Sequence, residues 1–250
     1  MSAEYGIIGY PLSHSFSPAY FNKKFEEEGI DASYGTFSLH NIDVLPALLQ
    51  EHKELLGLSV TIPYKETVIP FLDALDPVAE KIGAINCIRL QGGKTKGYNT
   101  DVIGFEKSLA PLLKPNQKHA LILGTGGASK AVAYVLNKLG ISFQKVSRTS
   151  MGCLHYDDVT ADLLQRHQII INTTPLGMFP QTETYPLLPY EFIGEQHLLY
   201  DLVYNPVETK FLSFGKDRGA IIKNGIEMLE LQAEESWRIW NPSNSPKGEN

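Results

Sequence analysis

The chain has 250 residues, 43% hydrophobic and 20% charged, with a formal net charge of −6. That length suits one large or two medium domains with a real core. The acidic balance, with no Lys/Arg cluster against it, excludes a nucleic-acid footprint. Cys87 and Cys153 show no metal-ligand spacing and suggest no disulfide framework. The N-terminus "MSAEYGIIGYP" lacks a basic region followed by a long apolar stretch, and no run approaches the roughly 18 apolar residues of a bilayer span. The expectation is a soluble cytoplasmic protein with no membrane partner and no metal.

Short apolar runs alternate with amphipathic segments, which predicts an α/β fold with largely parallel strands. "YGIIGY" reads as a strand. "SPAYFNKKFEEEG" reads as a helix, with Ser17 as N-cap, Pro18 in the first turn and Gly29 past the end. "NIDVLPALLQEH" and "PYKETVIPFLDAL" are further helix candidates, the second following a β-branched run that ends at Pro63. "AINCIRLQGGKTKGYNT" predicts a hairpin that turns at Gly92 and Gly93. "APLLKPNQK", with its two prolines, ends one helix and links to the next strand. Strands then follow in "HALILGT", "SFQKVSRT", "QIIINTTP" and "HLLYDLVY". Helices fall in "GGASKAVAYVLNKLG", "VTADLLQRH" and "NGIEMLELQAEESWRIW", the last strongly amphipathic. The tail "NPSNSPKGEN" reads as disordered.

"LILGTGGASKA" sets Gly124, Gly126 and Gly127 between a buried strand and a helix. A tight strand-to-helix turn needs residues without Cβ, and a pyrophosphate then approaches the N–H groups of the helix N-terminus. Ser129 stands where the fingerprint has its third glycine, while Ala128 and Ala131 keep that helix face small. The order strand, glycines, helix, strand is the context that marks a dinucleotide site. At the tip of the second strand "VSRTS" presents Arg148, flanked by Ser147 and Thr149, and no carboxylate. Arginine suits the 2′-phosphate of NADP, whereas the ribose diol of NAD calls for an acid. An S-adenosylmethionine methyltransferase would want that acid too. NADP is the expected cofactor. Two α/β domains result: residues 1–100, completed by a C-terminal helix over 226–241, and a Rossmann-like cofactor domain over 101–225, with 242–250 as tail. A cleft between the domains is expected to hold substrate and nicotinamide.

A hydride transferase also needs groups that hold a hydroxyl or carbonyl substrate and move its proton. Loops supply Ser13, His14, Ser15 and Ser17 in "PLSHSFSP", and Thr61 and Lys65 in "SVTIPYK". Asn86 ends "GAIN", and "GYNTD" offers Asn99, Thr100 and Asp101. In order, "SHSFSP", "VTIPYK", "GAIN", "NTD", "GTGGA", "SRT" and "NTTPLGM" resemble the shikimate dehydrogenase family, from about residue 5 to residue 240. The resemblance implies reversible NADPH reduction of 3-dehydroshikimate to shikimate, in aromatic amino-acid biosynthesis. It implies that Ser15 and Ser17 bind the substrate carboxylate, that Thr61, Asn86 and Asp101 hold ring hydroxyls, and that Lys65 sits at the reacting oxygen. Substrate contacts from Tyr204 and Gln232, and a nicotinamide lining from Leu202 and Gly225, follow from the same resemblance.

Plainer readings stand beside these roles. Ser17 and Asp101 also suit helix caps, Asn86 a turn, and Tyr204 and Gln232 core and solvent positions. Lys65 would sit near a helix N-terminus, where the backbone dipole disfavours an ammonium. Desolvation would oppose the charge further, and a carboxylate beside it would favour it. Lys65 and Asp101 are therefore expected as a coupled acid–base and orienting pair, with neither fixed as the proton carrier. Two departures from the family pattern stand out. Ser59 replaces a common asparagine, and the segment after Thr149 is short, lacking the helix that carries a second basic residue. NADP binding then rests mainly on Arg148. Two rivals remain: a quinate/shikimate dehydrogenase using NAD, which Arg148 argues against, and a catalytically silent shikimate-binding relative, which has no need of Lys65 and Asp101.

Overall fold

The computed structural model describes residues 2–12, 15–149 and 151–242. The chain divides into two compact α/β units, one holding residues up to Thr100 and from Gln232 onward, the other Asp101–Leu231. The last helix is shared, because the division falls between Leu231 and Gln232 and not ahead of the helix. Ser13, His14 and most of the tail expected to be disordered, 243–250, lie outside the described residues.

The first unit runs β1 (Ala3–Gly9), α1 (Phe16–Glu28), β2 (Ala32–Ser38), α2 (Leu45–Glu51), β3 (Leu55–Val60), β4 (Ala74–Leu75), α3 (Pro77–Ile82), β5 (Cys87–Gln91) and β6 (Lys94–Tyr98). Its strands lie in the order β2-β1-β3-β5-β6-β4. β1 pairs in parallel with β2 and β3, whereas β5 runs antiparallel to β3 and β6. The reversal comes at Gly92 and Gly93, whose φ values of 60° and 74° are those a two-residue hairpin turn demands. Alternation along β1 sends Tyr5 and Ile7 to one face and Ile8 to the other. Tyr5 and Ile7 pack with Phe21, Phe25 and Trp240, while Ile8 packs with Leu45, Leu58, Val68 and Ile88. Burial on both faces explains why this strand reads as an almost unbroken apolar run.

Two expected helices differ from the structure. The N-cap of α1 is Ser15, extended at φ −73° and ψ 137°, and Ser17 lies inside the first turn. Pro18 still falls where no intrahelical N–H is required. The stretch "PYKETVIPFLDAL" forms no α-helix; it makes turns and a short 3-10 helix, Ile69–Phe71. Pro70 lacks the N–H for an i→i−4 bond and its ring crowds the carbonyl one turn earlier, so an α-helix does not run through it.

The second unit holds α4 (Asp101–Leu109), β7 (His119–Leu123), α5 (Gly127–Lys138), β8 (Ser142–Val146), α6 (Ala161–Arg166), β9 (Ile169–Asn172), β10 (Leu198–Asp201), α7 (Lys210–Lys216) and β11 (Ile221–Lys223). The shared α8 (Ile226–Trp240) begins within it. All five strands are parallel, in the order β11-β10-β9-β7-β8. β7, β9 and β10 are buried along almost their whole length, as parallel strands covered on both faces must be. From β7 the chain builds outward to β8 on one side, then returns to β9 and builds the other way. In such Rossmann-like sheets ligands bind beyond the carboxyl ends at this switch point. Here those ends are Leu123 and Asn172.

The C-terminal part of α8 packs on the first sheet. Trp240 Nε1–H donates to the Ile88 carbonyl at 3.0 Å, and its indole lies over Gly57 in β3. A Cβ at position 57 would come within 2.4 Å of the indole ring. Gly57→Ala is expected to cost about 1–3 kcal/mol through overpacking, read as a lower midpoint in urea denaturation. An unchanged midpoint would mean that the indole slides aside without loss.

Candidate active site

In the first unit, Thr61 leaves the end of β3 with its N–H still donated to the Ile8 carbonyl at 3.0 Å. Its methyl fills the space a Cβ at Gly9 would need, 2.4 Å away. The next residues coil into a turn, with Tyr64 N–H donating to the Thr61 carbonyl at 2.9 Å and Val68 N–H to the Tyr64 carbonyl at 3.0 Å. Lys65 sits in this turn, half-buried, and its carbonyl accepts from Ile85 N–H at 2.6 Å. Since no α-helix begins here, the dipole argument against an ammonium at this position falls away.

Ile85 leads into Asn86, which is only 3% exposed. Asn86 Nδ2 donates to Thr100 Oγ1 at 2.9 Å and to Gln232 Oε1 at 3.2 Å, while its Oδ1 accepts Thr100 N–H at 2.6 Å. Ser236 Oγ lies 3.0 Å from Thr100 Oγ1 and donates to the Gln232 carbonyl at 2.8 Å. Asn86 is therefore the centre of a polar cluster and no mere turn residue. Gln232 is buried within that cluster and does not face solvent. Thr100 and Ser236 complete it. Asn99 is buried beside it in sequence, with Nδ2 donated to the Ala84 carbonyl at 2.8 Å and Oδ1 left without a partner. Leaving such a buried acceptor unpaired costs free energy.

Ser17 is buried and hydrogen-bonds Tyr34, whose Oη donates to Ser59 Oγ at 2.7 Å. Burial pushes the Tyr34 phenol well above the ordinary tyrosine range, so it remains a donor. Ser59 is thus held through Tyr34 despite being shorter than asparagine. Ser15, although it is the N-cap of α1, makes no side-chain capping bond.

The remaining expected residues belong to the second unit. Asp101 is the first helical residue of α4 and 5% exposed, so it does not cap a helix beginning at Val102. A carboxylate in a first turn is favoured by the helix dipole. Gly124 adopts φ 109°, a left-handed conformation that glycine alone takes easily, and a Cβ there would lie 2.8 Å from Thr173 Oγ1. Gly126 is the N-cap of α5 and offers no side-chain capping bond. A Cβ at Gly126 would meet nothing within 4 Å, and Gly127 and Ala128 begin the helix half-buried. Ser129 is fully buried and turns its hydroxyl back to the Gly126 carbonyl at 2.7 Å. A helix start whose cap makes no side-chain bond fits a pyrophosphate.

At the tip of β8, Arg148 and Thr149 are exposed and Ser147 is half-buried. Thr149 N–H donates to Ser147 Oγ at 3.4 Å. The chain then doubles back, Leu154 N–H donating to the Lys145 carbonyl and Ser147 N–H to the Leu154 carbonyl, each at 2.9 Å. Between β8 and α6 the described residues form a 3-10 turn, Tyr156–Asp158, and no α-helix. Leu202 and Gly225 lie together: a Cβ at Gly225 would stand 2.2 Å from the Leu202 carbonyl oxygen, and Gly225 N–H donates to the Val203 carbonyl at 3.1 Å. Tyr204, two residues after Leu202, is half-buried, and burial raises its phenol.

A family model described as the shikimate dehydrogenase substrate binding domain matches residues 7–88. The NADP(+)-dependent shikimate dehydrogenase of Aquifex aeolicus is 36% identical, covering 97% of this chain and 92% of its own. This chain belongs to the shikimate dehydrogenase family. The crystal structure of shikimate dehydrogenase from Aquifex aeolicus aligns with a TM-score of 0.87 over 98% of this chain and 94% of that one. That of the Thermus thermophilus enzyme, in complex with NADP(H) and shikimate, gives 0.85 at 31% identity, covering 96% and 94%. No described helix is long and apolar enough to cross a membrane. Among the described residues, no group of three or more His, Cys, Asp or Glu could hold a metal ion.

Sequence reasoning about the family pattern missed Asp201, at the carboxyl end of β10 and fully buried. Its only signal was a carboxylate closing an apolar strand just before "VYNP". Oδ1 accepts Asn172 Nδ2 at 2.9 Å and Val203 N–H at 3.0 Å, and Oδ2 accepts the Thr209 hydroxyl at 2.6 Å. Desolvation nevertheless outweighs these bonds and pushes its carboxyl up to about 7. An unfolded aspartate titrates near about 3.9, so between those values the folded chain binds the extra proton. Stability from this group is full at low pH and is lost as pH rises through about 7. Relative to Asp201→Asn, the native chain is expected to lose folding free energy on the order of a few kcal/mol across that window. Urea denaturation at several pH values measures it, and parallel profiles for the two proteins would rule it out.

Proposed function

We propose that this protein is an NADP-dependent dehydrogenase of shikimate, catalysing the reversible reduction of 3-dehydroshikimate on the route to chorismate and the aromatic amino acids. The reading rests on similarity to NADP(+)-dependent shikimate dehydrogenases over nearly the whole chain. When bound, the nicotinamide supplies or accepts the hydride. Every other requirement falls to side chains of this chain.

Lys65 and Asp101 are assigned as the coupled pair that orients the reacting oxygen and moves its proton. Ser15 is the stronger donor to the substrate carboxylate, because its hydroxyl makes no capping bond. Ser17 supports it from a hydroxyl already tied to Tyr34. Thr61, Asn86, Tyr204 and Gln232 are assigned to the substrate as well. Asn86 Nδ2 donates to Gln232 Oε1, and ring hydroxyls would replace that bond at little net cost. In the second unit, Gly124, Gly126, Gly127 and Ala128 present the uncapped start of α5 to the pyrophosphate. Arg148, with Ser147 and Thr149 beside it, offers the charge-assisted hydrogen bonds that a 2′-phosphate takes. Leu202 and Gly225 are assigned to the nicotinamide. The same reading makes the protein a cytoplasmic enzyme.

The deciding assay incubates the protein with shikimate or quinate and with NADP+ or NAD+, following absorbance of the reduced cofactor. Shikimate with NADP+ is expected to turn over fastest. Fastest turnover of quinate with NAD+ would replace the proposal with a catabolic enzyme, and none at all would leave a silent relative. Lys65→Ala is expected to lower kcat by about 10²–10⁴-fold with NADPH affinity nearly intact; a large loss of NADPH binding would show the lysine misassigned. Arg148→Ala is expected to raise the KM for NADP+ by about tenfold and leave that for NAD+ unchanged. Equal effects on both cofactors would remove Arg148 as the discriminating residue.

A further inference from the structure

At the carboxyl edge of the second sheet, Asn172 and Asp201 stand opposite each other in the parallel register of β9 and β10. Both are fully buried. Each then fixes the residues that follow its own strand. Asn172 Oδ1 accepts the N–H of Thr174 at 3.0 Å and its hydroxyl at 2.6 Å, and Nδ2 also reaches the Leu176 carbonyl at 3.3 Å. Asp201 Oδ1 takes the Val203 N–H, while Asp201 Oδ2 takes the hydroxyl of Thr209, which is itself the N-cap of α7. The bond between the two side chains joins these sets.

We infer that Asp201 is a positioning residue of the cofactor site: one carboxyl group locks together the loop after β9, the turn carrying Leu202 and Tyr204, and the start of α7. The inference rests on the function proposed above, which assigns Leu202 to the nicotinamide. The Asp201 carboxyl bonds Asn172, Val203 and Thr209 and not Leu202. Leu202 is held on three sides instead. Its N–H donates to the Asn172 carbonyl at 3.0 Å, its neighbour Val203 is pinned to Asp201, and its carbonyl lies against Gly225. The loop after β9 meets the same anchor from the other side, since a Cβ at Gly177 would stand 3.2 Å from Thr209 Cβ. A role confined to capping α7 would need only Oδ2 and Thr209. The use of Oδ1 for two donors from two other segments is what a capping role leaves unexplained.

The test compares Asp201→Ala, Thr209→Val and Thr209→Ser in the full chain. Thr209→Val removes one of the three bonds at nearly constant volume and keeps the test alive if Asp201→Ala does not fold. NADPH binding is read by titration of its fluorescence, and kcat and KM by shikimate oxidation. Thr209→Val is expected to weaken NADPH binding about fivefold and lower kcat about tenfold, with the KM for shikimate changed by less than about twofold. Thr209→Ser is expected to restore both, because it keeps the hydroxyl. A lower melting temperature with NADPH affinity and kcat unchanged in Thr209→Val would overturn the inference and leave a framework role. If the native protein binds NADPH but oxidises no shikimate, the proposed function falls while the binding comparison still decides this one. Failure of the native protein to bind NADPH would end both.

Discussion

Trp240 lays its indole on the bare backbone of Gly57 and gives its N–H to the Ile88 carbonyl, and the rings of Tyr5 and Phe21 close around it. Buried aromatic clusters of this kind combine a large apolar area with defined ring geometry. This contact sets how deeply the last helix seats on the first sheet. Gln232 lies about two turns upstream on the same helix, and a helix is stiff over that distance. The depth of the indole therefore fixes the height at which the Gln232 amide meets Asn86. A side chain at position 57 would lift the helix and pull that amide off its partner. The polar cluster around Asn86 thus depends on an apolar contact far from it in sequence.

In the proposed function the second unit meets a different demand, that of holding a pyrophosphate. Its means are geometric. Parallel strands finish at Leu123, Asn172 and Asp201 along one edge, and the glycine turn after Leu123 leads to Gly126, the N-cap of α5. Partial charge on the first helical N–H groups serves the pyrophosphate in the proposed function. In the proposed function Arg148 is left with one task, telling a 2′-phosphate from a hydroxyl. The departures at Ser129 and Ser59 follow a common logic. In each case a serine hydroxyl is bonded inward, to the Gly126 carbonyl or to Tyr34, so the exchange costs the surroundings little.

Much of this was legible in the sequence because the signals were local. The glycine turn between strand and helix, the Gly92–Gly93 hairpin and the buried runs of the second sheet all carry their geometry within a few residues. The helix expected over 63–75 failed for a local reason as well. Pro70 stops it, and the apolar spacing that suggested a helix reflects Val68, Ile69 and Leu72 packing on the sheet instead. The cap of α1 shifted from Ser17 to Ser15 because several serines compete there and only backbone angles choose among them. What could not be read were the partnerships between distant residues. Nothing near Gln232 announces Asn86, and nothing near Asp201 announces Asn172 and Thr209. The two- and three-residue strands β4 and β11 were equally invisible, being too short to show a period.

The return of α8 to the first sheet also orders events during synthesis. Asn86 leaves the ribosome 146 residues before Gln232, and chains emerge N-terminal end first at about 5–20 residues per second. For roughly ten seconds the first six strands exist without the helix that covers Tyr5 and Phe21. The stretch 101–231 is contiguous in sequence and needs no later segment to complete it. The half that starts first is therefore the half that finishes last. Until α8 is made, the aromatic face of Tyr5 and Phe21 lacks the Trp240 indole that packs on it.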